Sequence, residues 1–172
     1  MKKYIWLFGE NVGQTACNNS FYFWRQIVGK NDDIEKYFVM EKNRETMAVY
    51  RRLDTKMKKY VVWRNSTRHF AIYFSADLYF VSLSYRDVRP EHYLWREFNF
   101  LAETPVIDLQ HGTLAMKKVD YSGESYNNNM FRFFYYNPFI KRQLLEINGF
   151  REYQLYYGEF HPRYMELVRK ND

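Results

Sequence analysis

Cysteine is almost missing from this chain: Cys17 is the only one in 172 residues. An internal disulfide, a disulfide framework and a cysteine-based zinc site are therefore excluded, which fits a reducing, cytoplasmic setting. Histidines number four, and His69, His92 and His161 show no metal-ligand spacing, so no histidine metal site is expected. Long apolar runs are also absent. The most apolar region, His69 to Tyr85, is interrupted by Asp77 and falls short of the roughly 20 residues a spanning helix needs. Tyr4 to Phe8 is too short for a signal-peptide core, and no small-residue cleavage site follows, so the chain is expected not to be secreted. Glycine follows the first apolar run only at Gly9 and Gly13. The third glycine and the spacing of a dinucleotide fingerprint are lacking, as are a Walker loop, a Gly-x-Ser-x-Gly elbow and a Cys–His arrangement.

What is plentiful is positive charge and aromatic rings. The net charge is +6, which favours a polyanionic partner such as nucleic acid, an anionic membrane face or a phosphate-rich substrate. Aromatic residues make up 21% of the chain, and the simplest account of them is a ring-rich core and surface. The basic run Lys56-Met57-Lys58-Lys59 reads as a solvated loop. Length predicts one domain, residues 1–172, with a core of its own.

Apolar runs alternate with helical patterns along the whole chain. Strands are expected at Lys3 to Phe8, Tyr37 to Met40, Tyr60 to Trp63, Leu78 to Ser82, Pro105 to Leu109, Phe131 to Tyr136 and Tyr153 to Tyr157. Helices are expected at Phe21 to Val28 (capped by Asn18-Asn19-Ser20), Arg44 to Leu53, Arg68 to Ser75 (capped by Asn65-Ser66-Thr67), Glu91 to Ala102 and Lys141 to Ile147. This rhythm predicts an α/β, Rossmann-like fold with a mainly parallel sheet and helices on both faces. Within it, Pro105-Val106-Ile107-Asp108-Leu109 reads as a buried strand running out into Gln110-His111-Gly112-Thr113. Ligands of open α/β sheets bind outside the carboxyl ends of strands, so His111 stands where an imidazole could act on one. Gly112 is expected to make the sharp turn beside it. The segment beyond is polar and turn-rich, as a substrate-facing loop would be.

The Gln110-His111-Gly112-Thr113 sequence, with Lys117, Lys118 and Asp120 after it, resembles the amino-terminal half of the CDP-glycerol glycerophosphotransferase family, which primes and polymerises teichoic acids. Three other places are similar in order: Trp6-Leu7-Phe8-Gly9-Glu10 with Asn18-Asn19-Ser20-Phe21-Tyr22-Phe23; Val61 to Ser82; and Gly149-Phe150 with Gly158 to Leu167. Leu114-Ala115 stand where the family has proline after His-Gly-Thr, Asn18-Asn19 where it has Asp-Asn, and Tyr164-Met165 where it has an aspartate after Pro-Arg. The resemblance implies the amino-terminal half of a GT-B architecture. The donor CDP-glycerol would be held mainly by a second, carboxy-terminal domain or companion polypeptide outside this chain, and the isolated chain would turn over little substrate. No other cofactor is implied.

In the implied reaction a glycerol or sugar hydroxyl attacks the β-phosphate of CDP-glycerol and CMP leaves. His111 would be the general base. Gly112 would line the substrate site, Lys117 and Lys118 would hold acceptor phosphates as point charges, Thr113 and Ser122 would add hydrogen bonds and Asp120 would orient the loop or a ligand hydroxyl. Arg163 would reach phosphate from the far end of the sheet. The acceptor would be lipid-linked, either phosphate-rich or a sugar, placing the protein in the cytoplasm or peripherally at the inner face of the cell membrane. Two alternatives stay open: a GT-B glycosyltransferase that uses a sugar nucleotide, and a non-catalytic polyanion binder suggested by Arg132-Phe133-Phe134-Tyr135-Tyr136. Nucleic acid is the less expected partner, since no RNA-recognition or zinc-finger pattern is present.

Overall fold

A computed structural model describes residues 3–91, 104–112 and 130–169. Strands β1 (Tyr4–Phe8), β2 (Ile34–Met40), β3 (Val61–Trp63), β4 (Leu78–Val81), β5 (Val106–Asp108), β6 (Met130–Tyr135) and β7 (Leu155–Tyr157) form one sheet. Its order is β3-β2-β1-β4-β5-β6-β7, and every neighbouring pair is parallel. The helices are α1 (Asn19–Ile27), α2 (Arg44–Arg52), α3 (Thr55–Lys58), α4 (Thr67–Ser75), α5 (Lys141–Glu146) and α6 (Pro162–Arg169). The expected α/β, Rossmann-like architecture is thus what the chain adopts. The expected helix Glu91 to Ala102 falls almost wholly outside the described residues. Among the described residues no helix is long and apolar enough to cross a membrane.

Strand side chains alternate between two faces, and each face finds its own helices. Leu7, Val39, Val62, Tyr79, Val81 and Phe133 pack with Ile72 and Tyr73 of α4 and Leu144 of α5. Phe8, Phe38, Met40, Val61 and Phe80 point the other way and pack with Phe21, Trp24 and Ile27 of α1. Helix α6 lies on α1. Strand β2 begins three residues earlier than its apolar run, because Ile34, Glu35 and Lys36 pair with Tyr4, Ile5 and Trp6 of β1, and Lys36 is buried there. Its ammonium pairs with Asp32 and donates to the carbonyl of Ile34, which offsets part of the cost of hiding the charge.

The strand order reverses between β1 and β4, the place where this class of sheet opens a crevice at its carboxyl ends. Here the loops leaving the two strands close on each other. Gly9 donates its N–H to Phe80 at 3.0 Å, and a Cβ at Gly9 would meet the Asp87 carbonyl oxygen at 2.3 Å. The clash is with backbone, which cannot swing aside. Gly9→Ala is therefore expected to destabilise the fold by about 2 kcal/mol or more, read as a lower urea midpoint with an unchanged slope.

Candidate active site at the carboxyl edge of the sheet

Strand β5 ends at Asp108, and the turn that follows is held from all sides. The Asp108 carboxylate accepts from the Gln110 N–H at 2.7 Å, and Leu109 N–H continues the ladder to Val81 at 2.8 Å. The carbonyl of Leu109 accepts from Asn19 Nδ2 and from the Tyr136 hydroxyl, both at 3.0 Å. That of Gln110 accepts from the same Asn19 nitrogen at 2.7 Å. Gln110 sits at φ 56°, the left-handed region that costs a non-glycine residue energy and persists only where neighbours over-determine it. Gln110, rather than Gly112, makes the sharp turn. Gly112 does not have a positive φ, and a Cβ there would meet nothing within 4 Å. The outcome is an exposed His111 on a clamped base.

The clamp is built around Asn19, which is fully buried at the first turn of α1. Its amide orientation is fixed because the Leu109 and Gln110 carbonyls can only accept, so the nitrogen faces them. The same nitrogen approaches His161 Nδ1 at 2.8 Å. His161 therefore accepts at Nδ1 and carries its proton on Nε2. Burial, with the Arg163 charge nearby, lowers its pKa to about 4, so it is neutral at pH 7. The ring stacks on Tyr136 with centroids 3.7 Å apart. Asn19 Oδ1 accepts from the Arg163 N–H at 3.3 Å, which brings the start of α6 to the β5 exit. Arg163 is thus close to the His111 turn, not across the sheet from it. Its guanidinium donates to Asn18 at 3.4 Å and to the Tyr164 hydroxyl at 2.9 Å. It makes no ion pair among the described residues, and its Nε is buried without a partner.

The amino terminus of α1 would be a ready anion site, as in dinucleotide-binding folds. It is already filled. Asn18 holds the N-cap position without capping through its side chain, a departure from the expected Asn-Asn-Ser cap. Glu10, wholly buried just after β1, does the capping from outside. Its carboxyl accepts from the N–H groups of Cys17, Asn18 and Phe21 and from the Thr15 hydroxyl. Burial pushes Glu10 up to about 7 against the pull of those donors, with Asp87 adding to the rise. Asp87 is buried as well, and burial raises it although it accepts from the N–H groups of Val12, Ser82, Leu83 and Ser84. Three buried carboxyls, Glu10, Asp87 and Asp108, thus lie under the edge that carries His111.

Asp108 is the least satisfied of the three: its Oδ2 has no hydrogen-bond partner among the described residues. Burial pushes its pKa up to about 7, with Asp87 adding to the rise. A carboxyl whose pKa is higher folded than unfolded binds its proton more tightly in the native state, so stability falls as pH rises between about 4 and 7. Above that window the full cost of a buried charge is present. Asp108→Asn removes the charge but leaves an amide N–H unpaired, so it is expected to be more stable than the parent at pH 8 by about 1–2 kcal/mol. That advantage should vanish by pH 4. Urea unfolding of both proteins across this range checks it, Glu10 being common to the two.

The site residues expected from sequence divide into three groups. His111 and Gly112 lie at the β5 exit, and Arg163 is joined to that exit through Asn19. Thr113, Lys117, Lys118, Asp120 and Ser122 lie outside the described residues. Not foreseen as a unit were Glu10, Asn19, Asp108, Tyr136 and His161. His69 is structural, since it accepts from the Asn65 N–H at Nδ1 and bonds the Val88 carbonyl through Nε2. Among the described residues, no three His, Cys, Asp or Glu side chains are grouped to hold a metal ion. In comparisons with known proteins, no family model and no curated sequence matches the chain.

Proposed function

We propose that the chain is the acceptor-side domain of a CDP-glycerol glycerophosphotransferase-like enzyme, with His111 as its general base. The observation that carries the reading is an exposed imidazole on a turn whose neighbouring backbone groups are bonded, at the carboxyl edge of a parallel sheet. Phosphoryl transfer asks a protein mainly for placement and charge neutralisation, with a base beside the attacking hydroxyl. In the proposed step the acceptor oxygen forms a bond to the β-phosphorus of CDP-glycerol and the bond to the CMP oxygen breaks. The hydroxyl proton passes to His111. Arg163, unpaired by any carboxylate among the described residues, would face the phosphate charge, and Lys117 and Lys118 would share it. A first helix already capped by Glu10 supports a domain that takes acceptor while the nucleotide binds elsewhere. The acceptor would be lipid-linked, so the enzyme would work in the cytoplasm, peripherally at the inner membrane face.

The test is a transfer assay on the complete native protein, with CDP-glycerol set against a panel of sugar nucleotides. CMP release that requires both CDP-glycerol and His111 supports the reading. Release from a sugar nucleotide alone would make the protein a glycosyltransferase of the same architecture, and no release from any donor would leave a binding domain.

A further inference from the structure

Beside the α1 start, on the far side from the β5 exit, the carboxyl edge carries a groove of 590 Å³. One wall is the loop leaving β1, with Asn11, Gln14 and Thr15; the other joins β2 to α2, with Glu41, Arg44 and Glu45. The walls are tied together. Asn43 Nδ2 donates to the Gln14 carbonyl at 2.9 Å and Glu41 N–H to the Gly13 carbonyl at 2.8 Å. Asn11 and Val12 hold left-handed backbone at φ 44° and 55°, and Asp87 fixes Val12 by accepting its N–H at 3.0 Å. Left-handed valine is costly and marks a loop set in shape before any ligand arrives.

The lining decides what could bind. Thr15 is engaged with Glu10, and Asn43 caps α2 through the N–H groups of Glu45 and Thr46. The side chains of Asn11, Gln14, Glu41, Arg44 and Glu45 make no hydrogen bond or ion pair among the described residues. Residues bearing two amides, two carboxylates and one guanidinium, none of them engaged, therefore line a single groove. A phosphate would meet two carboxylates, and the backbone donors of both adjacent helix starts are already taken by Glu10 and Asn43. A nucleobase would find no ring to stack on, since no lining residue is aromatic. A ligand rich in neutral hydroxyls matches it: carboxylates accept from hydroxyls, guanidinium donates to them, and amides do both.

We propose that this groove binds a neutral polyhydroxylated ligand, a sugar or polyol. In addition, resting on the transferase reading above, it holds the hydroxyl-rich part of the acceptor whose reacting end lies at His111. Both places border one helix start: Glu10 bonds Thr15 of the groove wall and the Cys17 N–H before α1, and Asn19 of α1 holds the β5 exit.

The test needs no turnover. The isotopically labelled protein is titrated by NMR with glycerol, N-acetylglucosamine and lactose, and with glycerol 3-phosphate as the charged comparison. At least one neutral ligand should give saturable shifts confined to the amides of residues 11–15 and 41–45, with a Kd of about 1–10 mM, and glycerol 3-phosphate should bind more weakly. Gln14→Leu and Glu41→Leu, at exposed side chains that make no hydrogen bond or ion pair among the described residues, should keep the spectrum of a folded chain and weaken binding about tenfold. Absence of saturable shifts with every neutral ligand, or tighter binding of glycerol 3-phosphate, overturns the groove. In the complete enzyme Gln14→Leu should raise the acceptor KM and spare kcat, and an unchanged KM overturns the acceptor role alone. Failure of all transfer with the NMR shifts intact would instead overturn the transferase reading.

Discussion

His111→Ala in the complete protein is expected to lower transfer from CDP-glycerol by about 10²–10⁴-fold while leaving the thermal unfolding curve in place. The two halves of that expectation have separate causes. The imidazole is exposed, and substitutions at such positions seldom disturb a fold. The proposed chemistry would depend on it because a hydroxyl is a poor nucleophile until its proton has somewhere to go. His111→Gln can still hydrogen-bond but cannot take a proton at neutral pH, so it should be as inactive as alanine. Full turnover in either variant would remove His111 from the chemistry.

Glu10→Ala is expected to have the largest effect on stability, a loss of about 3–5 kcal/mol. The substitution leaves three N–H groups at the first turn of α1, those of Cys17, Asn18 and Phe21, without their acceptor. It also opens a cavity where a fully buried side chain stood. Glu10→Gln keeps one acceptor oxygen and should fall between parent and alanine. Chemical denaturation of the three proteins at one pH measures this. Equal stability of Glu10→Ala and parent would mean that the donors find water instead, and that the α1 start is not sealed.

The strand that leads to His111 was legible because apolar, branched residues end there in polar ones, and alternation of strand and helix patterns was enough for the parallel sheet. The support beneath the histidine was not legible, for reasons of distance along the chain. Asn19 reads locally as a cap, because Asn-Asn-Ser before an aromatic helix is a capping pattern, yet its partners are 90 and 142 residues away. Asp108 reads as an ordinary member of its strand; only its burial exposes an acid with an unpartnered oxygen. Glu10 carried a faint signal, a lone carboxylate directly after an apolar strand and a glycine. Gln110 carried none, since left-handed backbone at a glutamine is imposed by the bonds around it and Gly112 was the better guess from residue type.

The reach of Asn19 also sets an order in time. At 5–20 residues per second a ribosome delivers His161 about 7–28 seconds after Asn19, so the first helix waits for the partners that complete its buried end. The β5 turn can form earlier, but the Asn19–His161 tie that finishes its support comes only when α6 docks. A nascent or truncated chain lacking residues 160–169 could complete most of the sheet and still present His111 on a loosened base. Docking of α6 is therefore the step that completes the support beneath His111.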